Sequence, residues 1–97
     1  MNKNILLKKI VFFKKHIDMY LLENNYENTV AFILGMDFSF DGKMLEGFSE
    51  WLLLQYNVRS NLSWMKLVEL IYADNVNEGI SKVDFLLDNL MEYVASM

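Results

Sequence analysis

Apolar residues recur three and four positions apart along most of this chain, the spacing of helices that bury one face. Ile10, Phe13, Ile17 and Leu21 form such a stripe beside Lys8, Lys9, Lys14 and Lys15, and predict a first helix over residues 4–22. Asn24 and Asn25 end it and cap the next. A second helix is expected over residues 26–40, although 30–36 is apolar throughout and Phe38-Ser39-Phe40 alternates as a strand would. Helix is preferred because a lone strand without a sheet partner leaves buried backbone groups unpaired. Asp41-Gly42 then reads as a turn.

A third helix is expected over residues 44–56, with Leu45, Phe48, Leu52 and Tyr56 on one side and Glu46 and Glu50 on the other. Leu53 and Leu54 widen its apolar arc, which predicts a place in the middle of the bundle. Trp64, Leu67, Val68, Ile71 and Tyr72 follow the i, i+3, i+4, i+7, i+8 pattern of a fourth helix, with Asn61 or Ser63 as its cap. Trp64 and Trp51 both read as core residues. The last helix is expected from Asp74 and Asn75, where Asn75 with Glu78 approximates a capping box, and to bury Ile80, Val83, Leu87, Leu90 and Val94. The chain has no proline, so helix ends are read from Asn, Asp, Ser and Gly. The expectation is an all-α fold, a compact bundle of about five helices forming a single domain over residues 1–97.

A chain of 97 residues and 11.5 kDa should expose roughly 5,800 Å² when folded, burying near two thirds of its unfolded surface. Its hydrophobic share of 54% is somewhat above that of ordinary soluble domains, which leaves room either for a rich core or for apolar surface kept for a partner. Charge is segregated. Residues 1–17 carry Lys3, Lys8, Lys9, Lys14 and Lys15 and no acid, whereas residues 18–97 hold four basic and thirteen acidic side chains, for a formal total of −4. An acidic body repels nucleic acid and anionic membrane and attracts a basic protein. The lysines read as a solvated helix flank. Lys8 and Lys9 interrupt the opening apolar stretch, no run approaches the ~18–20 residues of a membrane helix, and a cytoplasmic protein is expected.

Chemistry is sparse. There is no cysteine, one histidine and no glycine-rich phosphate loop. His16 and Asp18 lie two apart, roughly 200° around a helix, and cannot form a base–orienter pair. The expectation is a binding protein, not an enzyme, with no cofactor and no metal. Asp37 with Asp41, and Glu46 with Glu50, are i, i+4 carboxylates that could share a cation, but the Glu-x-x-His pairs of metal-binding bundles are absent and a solvated acidic face is the simpler reading. The acidic row Asp84, Asp88 and Glu92, with Phe85 projecting among its members, is the strongest candidate for partner binding. Like charges at i, i+4 cost roughly 0.2–0.5 kcal/mol per pair, which a basic partner would relieve. Phe85 would be the interface anchor; the alternative, and the simpler reading, is that the row is a solvated face and Phe85 packs beneath a neighbouring loop. Glu46, Glu50, Asp37 and Asp41 are candidates on the same grounds.

Taken together, Met19-Tyr20-Leu21, Ala31-Phe32-Ile33-Leu34-Gly35-Met36, Gly47-Phe48-Ser49-Glu50-Trp51-Leu52 and Asn61-Leu62-Ser63-Trp64, followed by an apolar and acidic terminal helix, resemble a family of small immunity proteins. These accompany the polymorphic toxins of bacteria, including contact-dependent growth inhibition systems. The resemblance covers the chain from about residue 17 onward. Members often carry Arg-Pro before the Met-Tyr-Leu element, where this chain has His16-Ile17-Asp18. What the resemblance implies is a helical protein that binds and blocks the C-terminal domain of its cognate toxin. Such toxins are frequently nucleases, EndoU-like RNases among them, with basic clefts. The alternative is a non-catalytic helical self-association or adaptor module, with surplus apolar surface forming a homodimer.

Overall fold

A computed structural model describes residues 2–75 and 79–97, and among them finds helices and no strands: α1 (Lys3–Lys15), α2 (Ile17–Tyr20), α3 (Tyr26–Ser39), α4 (Phe48–Tyr56), α5 (Trp64–Asp74) and α6 (Lys82–Ala95). The all-α expectation holds, and residues 30–39 are helical. The first expected helix is two. Asn2 caps α1 by accepting from the Asn4 and Ile5 amides, and Leu6, Ile10 and Phe13 form its buried stripe. At His16 the backbone leaves helical geometry (φ −119°, ψ 33°), and the single turn of α2 sets off in a new direction. The bend brings the Tyr20 ring to 5.9 Å from Phe13 and 5.6 Å from Phe32, an aromatic contact that spans three helices.

Asn25 caps α3 through the Asn28 amide, and only Tyr26, Thr29 and Ile33 of this helix are buried. It ends in a Schellman motif: the Asp41 amide donates to the Phe38 carbonyl (3.1 Å) and the Gly42 amide to the Asp37 carbonyl (2.9 Å). Asp41 takes the left-handed conformation there at φ 58°, a place glycine occupies without the Cβ clash. Asp41→Gly is therefore expected to raise stability by about 0.5–1 kcal/mol, read as a higher urea midpoint at unchanged slope.

The third expected helix starts four residues late. Met44 and Leu45 are buried ahead of α4, because the Leu45 amide is held by Asp37 Oδ1 (3.0 Å) and the Gly47 amide by the Tyr93 hydroxyl (3.0 Å). A Cβ on Gly47 would lie 3.3 Å from that hydroxyl, tight enough that the Tyr93 ring would have to shift by a few tenths of an ångström. Nor is this helix central. Leu54 is 84% exposed, and the hub is instead α6, which packs against α1, α3, α4 and α5.

In α5, Trp64, Leu67, Val68 and Ile71 are buried as their spacing predicts, and Tyr72 is half-buried with its hydroxyl donating to the Ile80 carbonyl (2.6 Å). Trp51 is half-buried at the edge of the same core, its ring 6.2 Å from Phe48. The last helix begins later than expected. Asn75 closes α5, its amide and its side chain both donating to the Ile71 carbonyl, and Ser81 caps α6 through the Asp84 amide. Glu78, the other half of the expected capping box, lies outside the described residues. Val83 is half-buried and Ile80 exposed, while Phe85, Leu86, Leu87, Asn89, Leu90, Tyr93 and Val94 form the buried side.

Candidate protein-binding surfaces

The acidic candidates separate into three groups. Phe85 is not an anchor offered to a partner: it is 8% exposed, with its ring centroid 5.9 Å from Tyr56 and 5.5 Å from Tyr72. The reason is rotational. Asn89, one turn on, faces inward to accept the Tyr56 hydroxyl (2.7 Å) and donate to the Phe85 carbonyl (2.9 Å), so this side of α6 is covered by α4. Asp88 is half-buried and bonded to Lys14 of α1, an ion pair that fixes α1 against α6 and relieves part of the row's repulsion. Asp84 and Glu92 remain, both exposed and without a cationic partner among the described residues.

Glu46 and Glu50 are also exposed and unpaired among the described residues, but they do not share a helical face, because Glu46 precedes α4. The Gly47–Tyr93 hydrogen bond sets the Glu46 segment beside the turn of α6 that carries Glu92. Glu92 in turn acts on Tyr56: burial chiefly pushes that phenol above its ordinary range, and the Glu92 carboxylate adds to it against the opposing Asn89 hydrogen bond. Asp37 and Asp41 are not a pair either. Asp37 braces the Leu45 amide, and Asp41 lies past the end of α3 in the left-handed turn. Among the described residues, no three His, Asp or Glu side chains gather closely enough to hold a metal ion.

Elsewhere, Tyr26, Glu69 and Lys82 join α3, α5 and α6. Lys82 donates to Glu69 (2.9 Å), which holds that carboxyl below the usual range, and its ammonium sits 4.7 Å from the centre of the Tyr26 ring. The Tyr26 hydroxyl donates to the Met65 carbonyl (2.6 Å), and burial, with Glu69 and Glu27, pushes its phenol far above the ordinary value of 10.0. The fold thus binds that proton more tightly than the unfolded chain does. Its contribution to stability is complete below the ordinary tyrosine value and is lost as pH rises beyond it. The urea midpoint of the wild type should fall steeply between about pH 9 and pH 12, whereas Tyr26→Phe should start about 1 kcal/mol less stable and fall less steeply.

A second surface escaped the sequence analysis. An open groove of about 770 Å³ lies between α1 and α3, with Tyr20 and Phe40 also among its lining. Its floor is Phe13 stacked on Phe32, with ring centroids 4.1 Å apart and planes 5° from parallel. Ile5 and Phe12 line one wall, with Lys8 and Lys9 beside them, and Gly35 and Met36 line the other. Ile5 and Phe12 are about half exposed, and Phe38 on α3 is 84% exposed. Gly35 is interior to a helix, where glycine costs roughly 0.5–1 kcal/mol relative to alanine, yet a Cβ built there meets nothing within 4 Å. Nothing inside the chain requires that glycine. The signal for this surface was present in the uniformly apolar stretch 30–36 and in Ile5 and Phe12, which stand off the buried stripe of α1.

No described helix is long and apolar enough to cross a membrane. Comparison of the chain with protein-family models, with curated proteins and with solved structures finds no match.

Proposed function

We propose that this protein is a stoichiometric inhibitor of the immunity type, which binds the C-terminal toxin domain of a contact-dependent growth inhibition or related system and occludes a basic cleft. The observation that carries the reading is the outward set of carboxylates, Asp84 and Glu92 on α6, Glu50 in the first turn of α4 and Glu46 just before it, exposed and unneutralised among the described residues. A nuclease cleft is built to attract phosphates, and carboxylates on a rigid helical body present the same sign of potential without a cleavable bond. Protection against a lethal enzyme calls for nanomolar or tighter binding, about −12 kcal/mol. Charge would speed the encounter, and apolar contacts around it would slow release. The inhibitor would act in the cytoplasm, where such a nuclease meets its substrate, and would need no cofactor.

The test is co-expression with toxic C-terminal domains taken from the genes that flank this one. Cells making both proteins are expected to grow, while cells making the toxin with an unrelated helical protein of equal net charge arrest. Arrest in the presence of well-expressed wild-type chain would overturn the proposal.

A further inference from the structure

We propose that the groove between α1 and α3 is a docking site for an amphipathic helix of a partner protein whose apolar face is flanked by carboxylates. The proposal goes beyond the inhibitor reading and is independent of it, since the acidic face calls for a basic partner and this groove for an acidic one. Three observations specify the occupant. First, the lining is aromatic and aliphatic, yet none of its residues is acidic, and Lys8 and Lys9 stand along one wall. A smaller depression along α1 shares Lys8 and Phe12, adds Lys15 and His16, and also has no acidic residue. Second, the walls run from Ile5 to Phe12 and from Phe32 to Ser39, in each case about 10 Å of helix, which matches two turns of an incoming helix anchored at i, i+3 or i+4, and i+7. Third, Gly35 leaves open space on one wall, where a helix could approach the α3 backbone closely.

The groove's openness argues against a small ligand. A drug-sized or acyl ligand is normally surrounded over most of its surface, whereas this groove stays open to solvent along one side. A helix would bury its apolar stripe on Phe12, Tyr20, Phe32 and Met36 and leave its outer face in water. Carboxylates along its edge would meet the Lys8 and Lys9 ammonium groups.

The experiment is a selection from a displayed library of fifteen-residue helices against the full-length protein, with counter-selection on Gly35→Leu. That variant fills the groove from a position where the added side chain has room, and its fold is checked by circular dichroism and thermal unfolding. Enriched helices are expected to carry apolar residues at i, i+3 or i+4, and i+7, flanked by Asp or Glu. The best of them should bind the wild type at least tenfold more tightly than Gly35→Leu and at least tenfold more tightly than the Lys8→Glu, Lys9→Glu double variant. Enrichment of basic flanks, or of sequences that bind Gly35→Leu equally well, would overturn the proposal. So would a homodimer in light scattering that Gly35→Leu converts to monomer, which assigns the groove to a second copy. Failure of the library alongside amide-resonance shifts at Ile5, Phe12 and Met36 with sodium oleate would assign it to anionic lipid. None of these outcomes bears on toxin protection, so the two proposals fail separately.

Discussion

Phe85→Ala is expected to cost about 3–5 kcal/mol of stability, because it empties an aromatic site inside the core rather than removing a contact at the surface. The ring lies between Tyr56 and Tyr72, where α4, α5 and α6 meet, and the Asn89 side chain bonds its carbonyl. Folded domains are stable by only about 5–15 kcal/mol, so the loss is a large share of the total. For a chain of this size it corresponds to a fall in melting temperature on the order of 15–30 °C. Thermal unfolding checks it. A change within about 0.5 kcal/mol would show that Phe85 is dispensable to the core and would return it to the set of surface candidates.

Asp84→Lys with Glu92→Lys is expected to act in the opposite sense, on binding and not on folding. Both side chains are exposed, and opposite charges placed four residues either side of Asp88 convert two repulsive i, i+4 pairs into attractive ones. Stability should change by no more than about 0.5 kcal/mol, because the gain from these pairs is offset by placing a lysine's charge in the first turn of α6, where Asp84 complements the helix dipole. Association with the toxin domain should slow at least tenfold at low ionic strength, with the difference shrinking as salt rises. Adding Glu46→Lys and Glu50→Lys should deepen the loss. Asp88 is left in place because a lysine there would face Lys14 and loosen α1 from α6. Unchanged association rates in a folded double variant would remove α6 from the recognition surface. Stopped-flow fluorescence measures them directly.

How far such surfaces can be read in advance depends on where helical periodicity is clean. The stripe from Trp64 to Ile71 alternates polar and apolar faces sharply, and the structure buries those residues as expected. Periodicity was a poor guide to ends. Met44 and Leu45 are apolar at helical spacing, but hydrogen bonds that the Leu45 and Gly47 amides donate to Asp37 and Tyr93, distant in sequence, hold their segment out of the helix. Asn75 has the chemistry of either cap, and which end it serves is settled by the Ile71 carbonyl beneath it. The break at His16 goes with ring contacts between Phe13, Tyr20 and Phe32, which no local pattern encodes.

The same distinction explains the site. Charge is legible residue by residue, so Asp84, Glu92, Glu46 and Glu50 were expected at the surface, and each is exposed. Which flank of α6 faces α4 is a tertiary matter, and it took Phe85 inward and gave Asp88 to Lys14. Gly35 and the aromatic groove were missed because an apolar run looks the same whether it covers a core or is left open. Only the separation of α1 from α3 distinguishes the two.

The most direct measurement titrates purified protein into a fixed amount of a purified toxin domain against which it protects cells, while that domain's activity is followed. The expected result is a linear fall to zero activity at one equivalent, with the activity regained in the Asp84→Lys, Glu92→Lys, Glu46→Lys, Glu50→Lys variant. Activity that persists at several equivalents of folded wild-type chain, or that is lost equally with the charge-reversed variant, would contradict the account.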